Sequence, residues 1–201
     1  MERACEEKPS EVWEAHYSPH HPVIRKDKQT TKVPTVYDAS AKGGGSPSLN
    51  ERLFAGPSLI ENVADILIKF KRHRVGIVGD IEKAFLMMSV AEEDRDVLRF
   101  TCVVFGLSSS PFLLSATIKH HVHKYETEDP EFVLKFLQSL YVDDIVQGDC
   151  DEDSAYTLYL KTKTRLAEGS FNARKFASNC ENLRKRICKN EEMLRQSSDR
   201  S

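Results

Sequence analysis

Ser139-Leu140-Tyr141-Val142-Asp143-Asp144-Ile145-Val146 sets two adjacent carboxylates inside an otherwise apolar, β-branched run. Apolar residues on both sides predict two short strands, with the Asp pair at the tight turn between them. Two negative charges side by side cost energy unless something cationic sits on them. The usual solution is a divalent metal, and hard oxygen donors of this kind suit magnesium. A solvated Asp-Asp turn would have the same local sequence, so the pair alone does not decide between these readings.

A second carboxylate segment shifts the balance. Val75-Gly76-Ile77-Val78-Gly79-Asp80-Ile81-Glu82-Lys83-Ala84-Phe85 reads as a buried strand that delivers Asp80 at its carboxyl end. Taken singly, Asp80 would be a helix N-cap or a strand-end turn residue. It stands 63 residues before Asp143, so the three carboxylates can meet only if their strands lie side by side in one sheet. Three Asp at the ends of adjacent strands are the minimal protein part of a two-metal phosphoryl-transfer site, with ions ~3.5–4 Å apart.

Composition narrows the field without deciding it. The chain has 201 residues, 40% hydrophobic and 30% charged, which allows one sizeable core or one domain with an extension. No apolar run approaches the ~18 residues of a membrane span. The polar, acidic start Met1-Glu2-Arg3-Ala4-Cys5-Glu6-Glu7-Lys8 shows no secretory signal, so an intracellular location, cytoplasmic or nuclear, is expected. The five cysteines are widely spaced with no C-x-x-C pair, which argues against a disulfide framework or a zinc site. Net charge is only −2, yet from Lys161 to Ser201 eleven Lys/Arg face five Asp/Glu. That basic stretch reads equally as a phosphate-backbone contact or as a solvated helix face.

Along the chain, residues 1–22 read as an irregular lead-in. Val23-Ile24 and Val33–Tyr37 have strand character and suggest a hairpin closed by Arg25–Thr31. Pro57-Ser58 opens a predicted helix to about Arg72, with Leu59, Val63, Ile66, Leu67 and Phe70 on one face. Ser110-Pro111 predicts a helix start, the hydroxyl at the cap and Pro in the first turn, running to about Tyr125. Glu131–Leu140 predicts a short helix, Asp151–Glu168 a longer one capped near Asp151 or Asp153, and Phe171–Ala177 a strand. His120, His121 and His123 lack a nearby Cys or carboxylate and read as surface histidines rather than metal ligands. This order of elements predicts an α+β sheet layer with helices on one face.

Tyr141-Val142-Asp143-Asp144 resembles the catalytic motif of reverse transcriptases, and the wider text resembles the reverse transcriptase of Pao/BEL-type LTR retrotransposons. The matching stretches are Tyr17–Lys32, Val36–Lys42, Ser48–Ala64, Gly79–Phe100, Phe105–His121, Tyr141–Gly148 and Gly169–Asn179, in the family's order. The tetrapeptide is weakly specific; the ordered set is strongly so. The resemblance implies a polymerase palm (a ferredoxin-like antiparallel sheet with helices on one face) over residues 75–180. Residues 23–74 would be partial fingers, and 181–201 a basic C-terminal helix or tail.

It further implies that Asp80 and Asp143 hold two magnesium ions, manganese being an alternative, with Asp144 as third carboxylate and the Ile81 carbonyl as an extra ligand. Phe85 matches the sugar gate, where a ring would exclude a ribose 2′-hydroxyl; its bland reading is core packing. Phe105 and Gly106 match the loop that contacts nucleotide and template, Arg25 and Lys26 would bind the triphosphate, and Lys175 lies where a proton donor to the leaving group would sit. The implied partners are an RNA or DNA template with primer, and deoxynucleoside triphosphates.

Two departures separate ancestry from activity. Pro34 stands where the family has an Arg, which removes a bidentate phosphate contact and a backbone donor. Arg99-Phe100-Thr101 also runs almost directly into Phe105-Gly106, where the family inserts another strand pair. Losing roughly 12–17 residues there would leave a palm strand unpaired, or force Asp80 and Phe105-Gly106 into strained proximity. A catalytically inactive remnant that at most binds nucleic acid or a protein partner is therefore the competing expectation. A metal-dependent nuclease would explain the carboxylates but not the order of the other motifs.

Overall fold

The computed structural model describes residues 19–22, 35–42, 45–94 and 101–198. Val23-Ile24, Arg25, Lys26 and Pro34 lie outside the described residues. Two units divide the chain, Met1–Ser58 with Phe85–Leu114, and Leu59–Ala84 with Ser115–Ser201.

In the first unit His20–Pro22 (β1) pairs antiparallel with Thr35–Tyr37 (β2), so the partner of the expected strand at Tyr37 begins before Val23. Leu49–Arg52 (α1) is one turn held by a capping box. The Ser48 hydroxyl accepts from the Glu51 N–H, and the Glu51 carboxylate accepts the Ser48 N–H at 2.9 Å. Ala39, Val104 and Leu107 form the buried cluster of this unit, with Tyr37, Leu49 and Leu53 packed on it.

Val63–Lys71 (α2) opens the second unit. It starts later than the apolar spacing predicted, because the Asn62 side chain caps it by accepting the Ala64 N–H at 2.8 Å. Val75–Ile81 (β3) follows, then Ser110–His123 (α3) and Pro130–Leu137 (α4). The predicted Ser110 cap is not formed. Its hydroxyl donates to the Val104 carbonyl at 2.7 Å, and the Ser109 carbonyl accepts the Leu113 N–H. Asp129 caps α4, accepting the Phe132 N–H, with Pro130 in the first turn.

Leu140–Tyr141 (β4), Asp144–Asp149 (β5), Glu152–Glu168 (α5), Ala173–Ser178 (β6) and Glu181–Ser198 (α6) complete the chain. Asp151 caps α5 through the Ser154 N–H, and Gly169 ends it. The sheet order is β4-β5-β3-β6, every neighbouring pair antiparallel. Helices connect β3 to β4 and β5 to β6, while a tight hairpin joins β4 to β5. This is the β-α-β-β-α-β connectivity of a ferredoxin-like sheet, with the first and third strands in the centre.

The core joins β3 to α5 and α6. Val75, Ile77, Ala155, Tyr159, Leu183 and Ile187 are buried together, and Phe176 packs edge-on against the Tyr159 ring at 4.8 Å. The Tyr159 hydroxyl donates to Asn190 and Glu191 on α6, and burial with that Glu191 bond pushes its pKa far above the ordinary tyrosine range. The 181–198 stretch is thus a packed helix, and part of its positive charge is already paired: Lys185 with Glu181, and Arg186 with Glu152 and Asp153.

His121 departs from the surface reading. It is buried, its Nε2 lies 2.6 Å from the Arg165 carbonyl, and a Cβ on Gly169 would stand 2.8 Å from its ring. Glycine at the end of α5 therefore makes room for the imidazole. Among the described residues Cys102, Cys150, Cys180 and Cys188 are free thiols. No helix among the described residues is long and apolar enough to cross a membrane.

Candidate active site

The Asp pair sits at the hairpin between β4 and β5. Leu140 faces Ile145 and Tyr141 faces Asp144, which leaves Val142 and Asp143 as a two-residue loop. Val142 has φ 57°, while Asp143 is not in the left-handed region. Positive φ at the first loop position alone is the II′-type arrangement that suits the twist of a hairpin. A β-branched residue in that position is strained, and such strain gathers at functional sites. Asp143 is half-buried and Asp144 exposed as the first residue of β5.

β3 runs antiparallel beside β5, so its end meets this turn. Asp80 is the register partner of Asp144, and the Ile81 N–H donates to the Asp143 carbonyl at 2.9 Å. The two segments read separately in sequence thus converge, with Asp80, Ile81, Asp143 and Asp144 on adjacent strand ends. Burial pushes the Asp143 carboxyl above the ordinary carboxylate range, and the nearby charges of Asp144 and Asp80 push the same way. Lys175 acts against this rise, together with a hydrogen bond within Asp143 itself.

Sequence reasoning gave Lys175 only a position. In the structure its ammonium contacts the Asp80 carboxylate at 2.6 Å. Its neighbour Arg174 pairs instead with Glu82 at 2.6 Å, and Asn172 also donates to Glu82. Glu82 is thereby engaged by Arg174 and Asn172. Three carboxylates and a backbone carbonyl at adjacent strand ends have the hard-oxygen chemistry of a divalent-cation site. They do not yet converge as one: among the described residues no group of three or more His, Cys, Asp or Glu side chains is placed to hold a metal ion. Asp80 is engaged by Lys175 instead.

Phe85, Phe105 and Gly106 belong to the other unit. Phe85 lies in the 3-10 turn Ala84–Met87, is buried, and meets the Phe105 ring edge-on at 4.5 Å. Phe105 itself is 51% exposed, so one ring packs while the other presents a face. Gly106 has φ 97°, and a Cβ there would stand 2.7 Å from the Tyr37 carbonyl oxygen. Only glycine fits both demands. Asn50 clamps this loop, donating to the Gly106 carbonyl and accepting the Ser108 N–H, each at 2.8 Å. Asn50 lies in a stretch that matched the family, but nothing local in the sequence marks it as a clamp.

Met88–Val90 and Thr101–Val103 pair with each other, which the sequence did not predict. Ser89 and Cys102 form an antiparallel bridge, flanked by Val90 N–H to Thr101 carbonyl and Val103 N–H to Met88 carbonyl bonds of 3.0 and 3.1 Å. Among the described residues β3 is paired on both sides.

No family model matches the chain, and no curated protein sequence matches it. Among solved structures it is similar to the protease-reverse transcriptase of prototype foamy virus (a selenomethionine-labelled CSH mutant), with a TM-score of 0.58 and 16% identity. The likeness covers 78% of this chain and 20% of that one, so the chain spans about a fifth of that protein's length. At this identity the likeness establishes the fold. The sheet and hairpin described above have the α+β fold seen in the palm of that structure.

Proposed function

We propose that this chain is a reverse transcriptase domain fragment that performs two-metal nucleotidyl transfer on a primed RNA or DNA template. The observation that carries this reading is the main-chain pairing that sets Asp80, Asp143 and Asp144 on adjacent strand ends, at the β3 end and the β4–β5 turn. The ordered motifs support a Pao/BEL-type retrotransposon origin.

In this reading Asp80 and Asp143 hold two magnesium ions, for which manganese can substitute, with the Ile81 carbonyl as an extra ligand and Asp144 adding negative charge. When bound, such ions lower the pKa of the primer 3′-hydroxyl and offset charge on the departing pyrophosphate. The chain's own residues position the reactants. Gly106 admits close backbone approach by nucleotide and template, with Phe105 beside it, and Phe85 fills the place that a ribose 2′-hydroxyl would need. Arg25 and Lys26, outside the described residues, contact the triphosphate of the incoming deoxynucleotide.

A second reading, an inactive remnant that binds nucleic acid or a partner, draws on the Asp80–Lys175 pair and on Pro34. Primer extension on a primed RNA template with magnesium or manganese separates the two. Template-directed incorporation supports the polymerase, and its absence with both metals supports the remnant.

A further inference from the structure

β3 and β6 do not pair in one register. Ile77 faces Ser178 and Val78 faces Ala177, but Asp80 faces Arg174 and Ile81 faces Ala173. The single residue Gly79 therefore stands opposite two residues of β6, Lys175 and Phe176. This is a β-bulge, a device that leaves one residue outside the ladder and re-aims its side chain. Lys175 has φ 55°, a conformation that costs a non-glycine residue about 1–2 kcal/mol.

Both neighbours fix the bulge. A Cβ on Gly79 would stand 2.7 Å from the Phe176 ring, so glycine at 79 lets that ring lie against the strand. Phe176 in turn packs edge-on against buried Tyr159. With Phe176 anchored in the core and Arg174 paired to Glu82, Lys175 is the residue left to reach Asp80. A strained residue held by packing on both sides is set to place its ammonium, and the place is a carboxylate beside two others.

We propose that Lys175 is a built-in counter-ion of the carboxylate site: it neutralises Asp80 while no divalent ion is bound, and a divalent ion must displace it. This rests on the carboxylate-site reading above. Lys175 thereby sets the metal affinity of the site.

The test is manganese binding to the chain without nucleotide or nucleic acid, followed by the electron paramagnetic resonance of free Mn2+. Lys175→Met keeps the stem and removes the charge; it should bind Mn2+ roughly two- to fivefold tighter than wild type, the upper part of the span expected for loss of one partly exposed ion pair. Lys175→Gly, which also relieves the positive φ, should do the same, and Lys175→Arg should stay near wild type. In EDTA, Lys175→Met should melt lower than wild type, and Mn2+ should raise its Tm by the larger increment.

Asp143→Asn is the control for the underlying reading. If it binds Mn2+ as wild type does, the carboxylate site is not the metal site, and both claims fall. If Asp143→Asn loses binding while both Lys175→Met and Lys175→Gly bind no tighter than wild type, the counter-ion role is overturned and the carboxylate site stands. If neither wild type nor the Lys175 variants bind, both claims are overturned together.

Discussion

Ile81 donates its backbone N–H to the carbonyl of Asp143 across 2.9 Å, tying the end of β3 to the turn of the β4–β5 hairpin. Together with the Asp80–Asp144 register, this bond holds three carboxylates close through main-chain pairing alone. The fold thus bears the repulsion of the site in its frame, and removing a carboxylate should relieve it.

Asp143→Asn should therefore raise stability in EDTA at neutral pH. Burial and the neighbouring aspartates raise the folded pKa of Asp143 above its unfolded value. The folded state then binds more protons than the unfolded one between those two values, so stability falls as pH rises through that window. Above it the ionised group disfavours the fold, and below it the penalty is gone. Discounting for partial exposure, a gain on the order of 1 kcal/mol corresponds to roughly 2–4 °C in Tm for a chain of this size. Melting curves across pH should show the gain at pH 7 and its disappearance in acid. A lower Tm for the variant at pH 7 would contradict the account.

Val142 should prefer glycine over alanine. Both substitutions remove the same half-buried branched side chain, but alanine keeps the cost of positive φ, about 1–2 kcal/mol, while glycine loses roughly 0.5–1 kcal/mol in chain entropy. Val142→Gly should thus be more stable than Val142→Ala by roughly 0.5–1 kcal/mol. Urea unfolding of the pair measures the difference, and equal or reversed midpoints would rule out the II′-type turn.

Much of this was legible because it is local or periodic. The Asp143-Asp144 turn between apolar runs, the strand ending at Asp80, and the helix cap at Asp151 all declare themselves within a few residues. The ordered motifs supplied the palm, which no local pattern could. What stayed hidden depends on partners distant in sequence. Lys175 meets Asp80 only because β6 slips register against β3, and nothing near Lys175 announces that slip. Asn50 reaches the Gly106 loop across more than fifty residues, and His121 is buried only because Gly169 makes room for it. The pairing of Met88–Val90 with Thr101–Val103 likewise joins residues more than ten positions apart that no local pattern links.

Gly106→Ala should damage the loop that packs against Tyr37 more than an ordinary surface change. The new Cβ meets a backbone carbonyl, which cannot swing aside as a side chain tip would, and the φ of 97° adds strain. A loss of roughly 2–3 kcal/mol is expected, the upper range for single substitutions. Denaturant midpoints give the stability change. A variant within about 0.5 kcal/mol of wild type would mean that the loop moves freely away from Tyr37.

The central claim is that Asp80, Asp143 and Asp144 act as one nucleotidyl-transfer centre. Its most direct test is single-turnover primer extension on a primed RNA template with magnesium or manganese, comparing wild type with a folded Asp143→Asn variant. The account predicts deoxynucleotide incorporation by the wild type and none above background by the variant, whose melting temperature is equal or higher. No incorporation by the wild-type chain with either metal, or incorporation that survives Asp143→Asn, would contradict it.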